Sequence, residues 1–149
     1  TPAESDDRRK VFDIDLLADR LLIAKSWSEQ HERTKHLTIG YFGASTGSGA
    51  AMQAAARAPV NIGAVVSRGG RPDLAESYLS AVMAPTLLIV GGWDEPVIEM
   101  NRAAYELLSC EKRLIVVPGA THLFEEPGTL EQVADHASAW FMRHLNAAD

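Results

Sequence analysis

The sequence predicts an α/β protein of three layers, with a mainly parallel sheet of about four strands between flanking helices. Short apolar runs alternate with longer amphipathic or alanine-rich stretches in a repeating strand-then-helix order. The runs are continuous rather than alternating, as expected of strands covered on both faces by helices. The length of 149 residues accommodates one core and leaves no room for a second. A single domain over 1–149 is therefore expected, with a polar tail at 1–10.

The elements follow in order. Asp13 is placed to cap a helix reaching about Gln30, with Ile14, Leu17, Leu21, Ala24 and Trp27 at helical spacing. The run from His36 to Phe42 reads as a strand. Gly43-Ala44-Ser45-Thr46-Gly47-Ser48-Gly49 follows, and alanine-rich Ala50 to Arg57 reads as a helix. Ile62 to Ser67 is the second strand, closed by Arg68-Gly69-Gly70-Arg71-Pro72, and residues 73–83 suggest a short helix. Thr86 to Val90 is the third strand, stopped by Gly91-Gly92. A helix from about Val97 to Cys110 leads to the fourth strand, Arg113 to Val117. After Pro118-Gly119, Thr129 to Leu145 forms the last amphipathic helix.

Composition narrows the function classes. A formal charge of −6 leaves no surplus of cations to neutralise phosphates, which argues against nucleic acid as a partner. No run approaches the roughly 18 apolar residues of a membrane span. The single cysteine, Cys110, excludes an intrachain disulfide and a cysteine-based zinc cage. No metal or cofactor is expected, and the location expected is the cytoplasm.

Chemistry is sought at the carboxyl ends of the strands, where open α/β sheets gather ligands. Gly43-Ala44-Ser45-Thr46-Gly47 is a G-x-S-x-G match lying between a predicted strand and a predicted helix, the context a nucleophile elbow requires. Ser45 would project from the turn, and the Thr46 amide at the helix N-terminus would favour a developing oxyanion. A phosphate cradle over Gly43–Gly49 is the weaker use, since no lysine follows at Walker spacing.

A serine nucleophile needs a base, and the base needs an orienting group. Asp94 follows the third strand and His122 the fourth, completing the chain order Ser…Asp…His. Singly, the acid reads as a turn former and the histidine as a surface residue; three coincident strand ends outweigh those readings. Ser45 is assigned as nucleophile, Asp94 as orienter and His122 as base. Arg68 and Arg71 flank a double glycine near the same edge, where they would fork onto a substrate anion or brace Asp73 or Glu76. Trp93, Phe124 and Met100 are candidates for an acyl pocket, although core burial is the commoner fate of such side chains. Glu125-Glu126 reads as a solvated turn.

Three blocks, residues 39–47, 66–74 and 118–128, resemble the dienelactone-hydrolase-type α/β hydrolases. The resemblance is nearest to a group whose members occur alone or fused to phosphoribosyltransferase domains. It spans roughly residues 10 to 146 and implies a serine hydrolase of carboxylic esters or related acyl substrates, with Ser45, Asp94 and His122 on the triad positions. Dienelactone hydrolases proper use a cysteine nucleophile, so Ser45 argues against dienelactone as substrate. The family's upstream strands and His-Gly-rich loop, source of a second oxyanion donor, have no counterpart in these 149 residues, so a truncated α/β-hydrolase fold is expected. The alternative is a catalytically weak or silent interaction domain. An uncovered first strand would also leave an edge at Leu37–Phe42, expected to pair across a two-fold axis as a homodimer or to be covered by residues 1–30.

Overall fold

The computed structural model describes residues 13–145. The expected polar tail at 1–10 lies outside them. Helix α1 spans Ile14–Gln30, and Asp13 caps it by accepting the Leu16 amide at 3.0 Å. Strand β1 (Ile39–Ala44) leads through Ser45 into α2 (Thr46–Arg57). Then come β2 (Ile62–Arg68), a 3₁₀ turn at Pro72–Ala75, and the single-turn α3 (Glu76–Leu79). Strand β3 (Thr86–Gly91), α4 (Glu95–Leu107), β4 (Lys112–Val117) and α5 (Thr129–His144) complete the order.

The four strands are parallel and lie in the order β1-β2-β3-β4, each beside its neighbour in sequence. Side-chain alternation sorts the core into two layers. Val65 and Leu88 face α1, α2, α3 and α4 in a cluster with Ala18, Met52, Leu79 and Leu108. Ala64, Val66, Leu87 and Ile89 face α5, packing on Val133, Ala137 and Trp140. The wholly buried β3 is the centre of both layers, so truncating Leu88 would cost about 2–5 kcal/mol.

Local details depart from the periodicity. The helix expected over 73–83 divides into the 3₁₀ turn and one helical turn, because Pro72 opens the segment and Pro85 soon directs the chain into β3. The buried face of α1 is also rotated from the expected stripe: Ala18 and Lys25 are buried, whereas Trp27 is 61% exposed. Lys25 tolerates this because its ammonium pairs with Glu29 one turn on, at 2.6 Å. Helix α4 starts earlier than expected, since Asp94 is its N-cap and Pro96 sits in the first turn.

Among the described residues, strand β1 lies at the edge of the sheet and pairs only with β2. Leu37 and Phe42 on and beside it are about half exposed. Helix α1 packs along α2 and places Leu17 and Leu21 with Phe42, Gly43 and Ala50 around an apolar groove of about 320 Å³. No helix among the described residues is long and apolar enough to cross a membrane.

Candidate active site

Ser45 occupies the turn between β1 and α2 with φ 49° and ψ −124°. L-residues rarely adopt this conformation, and holding one there costs on the order of 1–3 kcal/mol. The surroundings impose it. A Cβ at Gly43 would lie 2.6 Å from the Gly47 carbonyl, so only glycine lets strand and helix approach so closely. The Ser48 hydroxyl donates to the Gly43 carbonyl at 2.9 Å. Main-chain bonds fix the turn from the β2 side: Ser45 N–H donates to Arg68 O at 3.2 Å, and Arg71 N–H donates to Ser45 O at 3.1 Å. A Cβ at Gly47 would meet no described atom, so the second glycine of the motif is not demanded by the described packing. Thr46 supplies the first amide of α2, which no intrahelical carbonyl can reach.

Asp94 and His122 come from the ends of β3 and β4, whose loops are laced together. Gly92 N–H donates to Val117 O at 2.8 Å and Trp93 N–H to Ala120 O at 3.0 Å. This sets His122 Nδ1 2.6 Å from Asp94 Oδ2, with the carboxylate 14% exposed and the imidazole 38% exposed. A carboxylate at Nδ1 favours the tautomer protonated there and leaves Nε2 as the basic nitrogen. The histidine loop has its own brace. Glu126 accepts the Thr121 hydroxyl at 2.6 Å and the Thr121 amide at 3.0 Å, and these bonds hold its carboxyl below the usual range. The pair Glu125-Glu126 stands in the turn before α5, and Glu126 also reaches back to Thr121, a contact over five residues that composition could not reveal.

Ser45 and His122 border the same turn. Ser45 bonds to Arg68, and a Cβ at Gly69 would lie 3.2 Å from His122 O and 3.5 Å from its Nδ1. The Ser45 hydroxyl and the His122 ring are not hydrogen-bonded to each other. Catalytic contacts of this kind often tighten only when substrate is bound.

The flanking candidates separate. Arg71 forks onto Asp73 through Nε and one terminal nitrogen at 2.9 and 2.7 Å, which raises its pKa and makes it a loop brace. Arg68 lies over the Phe124 ring at 5.6 Å and donates weakly to Leu123 O at 3.4 Å, with no carboxylate among its described partners. Phe124 is core, 2% exposed, and supports Arg68 from below; Trp93 is 69% exposed at the rim. Among the described residues no cluster of three His, Cys, Asp or Glu could hold a metal ion. Asn101, buried on α4, donates to Gly70 O at 3.0 Å, and periodicity alone marks it only as a polar residue inside a helix.

A parallel sheet with a strained serine turn after one strand and a carboxylate–histidine pair after two others places the chain among the α/β hydrolases. It belongs to their dienelactone-hydrolase-like family. A crystal structure of a dienelactone hydrolase from Anabaena variabilis is 57% identical, with a TM-score of 0.94 over 98% of this chain and 69% of that one. A monoacylglycerol lipase from Paleococcus ferrophilus shares the fold at 18% identity and a TM-score of 0.71, over 85% of this chain and 76% of that one. Among curated proteins, one of Mycobacterium tuberculosis, named as a proposed phosphoribosyl transferase, is 59% identical over 97% of this chain. The match covers 33% of that protein, so the chain spans about a third of the length of the curated relatives it matches. No family model matches the chain.

Proposed function

We propose that the chain is a serine hydrolase of carboxylic esters or related acyl substrates, with Ser45 as nucleophile, His122 as base and Asp94 as its orienter. The observation that carries this reading is the convergence of a strained Ser45 and the 2.6 Å Asp94–His122 pair on one edge of the sheet. Ser45 Oγ attacks the acyl carbon while His122 Nε2 takes its proton, and Asp94 stabilises the imidazolium formed. The Thr46 amide, at the positive end of α2, bonds the oxyanion. Collapse expels the alcohol, which receives its proton from His122. Water then attacks the acyl-enzyme with His122 as base, and the acid leaves as Ser45 regains its proton.

Arg68 would bind an anionic group on the substrate, with Trp93 at the rim, Phe124 setting the position of Arg68 and Arg71 fixing the loop. The mycobacterial name describes a protein two-thirds of which lies outside the match, so transferase chemistry is not assigned to this site. The test is turnover of p-nitrophenyl acetate and butyrate by the wild type and by S45A. Loss of turnover in S45A is expected; equal rates would remove the reading.

A second reading, a weak or silent interaction domain, is favoured by the absence, among the described residues, of a hydrogen bond between Ser45 and His122. We also propose a cytoplasmic location and a homodimer through the open β1 edge at Leu37–Phe42. A protein that stays monomeric at high concentration by light scattering would overturn the dimer.

A further inference from the structure

We infer that Asn101 is a positioning residue for the Ser45 turn, acting through Gly70. The inference rests on the reading of Ser45 as nucleophile and adds a residue that touches no substrate. Asn101 lies on α4 seven residues after Asp94, two helical turns along, and is completely buried. Its amide nitrogen donates to Gly70 O at 3.0 Å and to Val97 O at 2.8 Å. The next amide along, Arg71 N–H, donates to Ser45 O, and Arg68 O accepts from Ser45 N–H. The turn from Arg68 to Arg71 therefore grips both main-chain polar groups of Ser45, and Asn101 holds that turn from below.

Space allows little other arrangement. A Cβ at Gly70 would lie 1.9 Å from Ser67 Oγ and 2.4 Å from Ser48 Oγ, so the turn is pressed onto the same seam that anchors Gly43. Asn101 Oδ1 and Ser67 Oγ are buried without hydrogen-bond partners among the described residues. Burying a polar side chain this imperfectly satisfied carries a cost, which argues for a role beyond filling volume. Helix α4 thus carries the orienting carboxylate at its N-cap and the clamp on the nucleophile turn two turns later. One rigid element sets the Asp94–His122 pair and the Ser45 conformation in a common frame.

The test uses the full chain and three proteins: wild type, N101L, and L108A, a core truncation at the far end of α4 that serves as the stability control. Amide hydrogen exchange by NMR is read at Ser45 and Arg71, alongside the rate of Ser45 labelling by a fluorophosphonate. In N101L the Arg71 and Ser45 amides should lose protection beyond that in L108A at an equal shortfall from each protein's Tm. Labelling should slow about 10–100-fold, as expected for a small misplacement of a reacting group, and ester turnover should lose kcat with little change in KM. If N101L is too unstable to purify, N101A gives the same comparison. Equal protection at Arg71 in the Asn101 variant and L108A would overturn the inference. The exchange readout requires no chemistry at Ser45, so a wild type that resists the label would remove the nucleophile reading and leave the clamp to be judged by exchange alone.

Discussion

Gly69 and His122 are fitted to each other: Gly69 takes φ 50°, and the position its side chain would occupy lies 3.2 Å from His122 O and 3.5 Å from Nδ1. G69A should therefore both strain the turn and crowd the main-chain carbonyl of His122, from which the imidazole hangs. Left-handed backbone costs a non-glycine residue about 1–2 kcal/mol, and the crowding adds to it. The expected result is a lower Tm and a kcat reduced about 10-fold or more on p-nitrophenyl esters. Kinetics and thermal melts together check it.

Arg68 should discriminate by substrate charge. R68A is expected to raise KM about 10–100-fold for an ester carrying a carboxylate, the loss of one or two hydrogen bonds to a charged group. Turnover of neutral p-nitrophenyl butyrate should change little. R71A, by contrast, releases Asp73 and should lower stability without that substrate dependence. Matched kinetics on the charged and neutral esters decide between the two arginines.

Glu126 should impose an acid limb on stability. Its carboxyl is held below the ordinary value by the two Thr121 bonds, so the folded state favours the charged form. That contribution is complete above about pH 4.3, the ordinary glutamate value, and disappears as pH falls through the lower folded-state value. The Tm difference between wild type and E126Q should be largest near neutrality and shrink on acidification below about pH 4. A difference that stays constant from pH 3 to pH 7 would contradict this.

Tyr41 gives the opposite limb. Its hydroxyl is buried without a partner among the described residues, and burial, then the nearby Glu29 charge, push its pKa up to about 12. The folded state resists ionisation, so stability is complete below about pH 10 and falls as pH rises towards the folded-state value. Y41F removes the orphan hydroxyl and should raise stability by on the order of 1 kcal/mol. It should also flatten the alkaline decline, read from denaturant melts between pH 8 and pH 11.

The strand ends were legible because each strand is a continuous apolar run closed by glycine or proline, which placed Ser45, Asp94 and His122 on one edge. Contacts that cross between elements left no such trace. The rotated face of α1 depends on Lys25 finding Glu29 rather than on its apolar stripe. Arg68 and Arg71 look equivalent in sequence, and Asp73 two residues along separates them. Asn101 was invisible because its partner is a backbone carbonyl 31 residues away.

Strand order that repeats chain order has a consequence for how the molecule comes into being. Every sheet pairing among the described residues joins successive strands, so each of these strands can dock on the one made just before it, with modest loop-closure cost at each step. A chain emerging from the ribosome can lay down the turn of Ser45, then the cap of Asp94, and only with the final unit the ring of His122. On the proposed reading, the base is thus the last group to arrive, and a chain not yet grown to His122 would carry Ser45 without it.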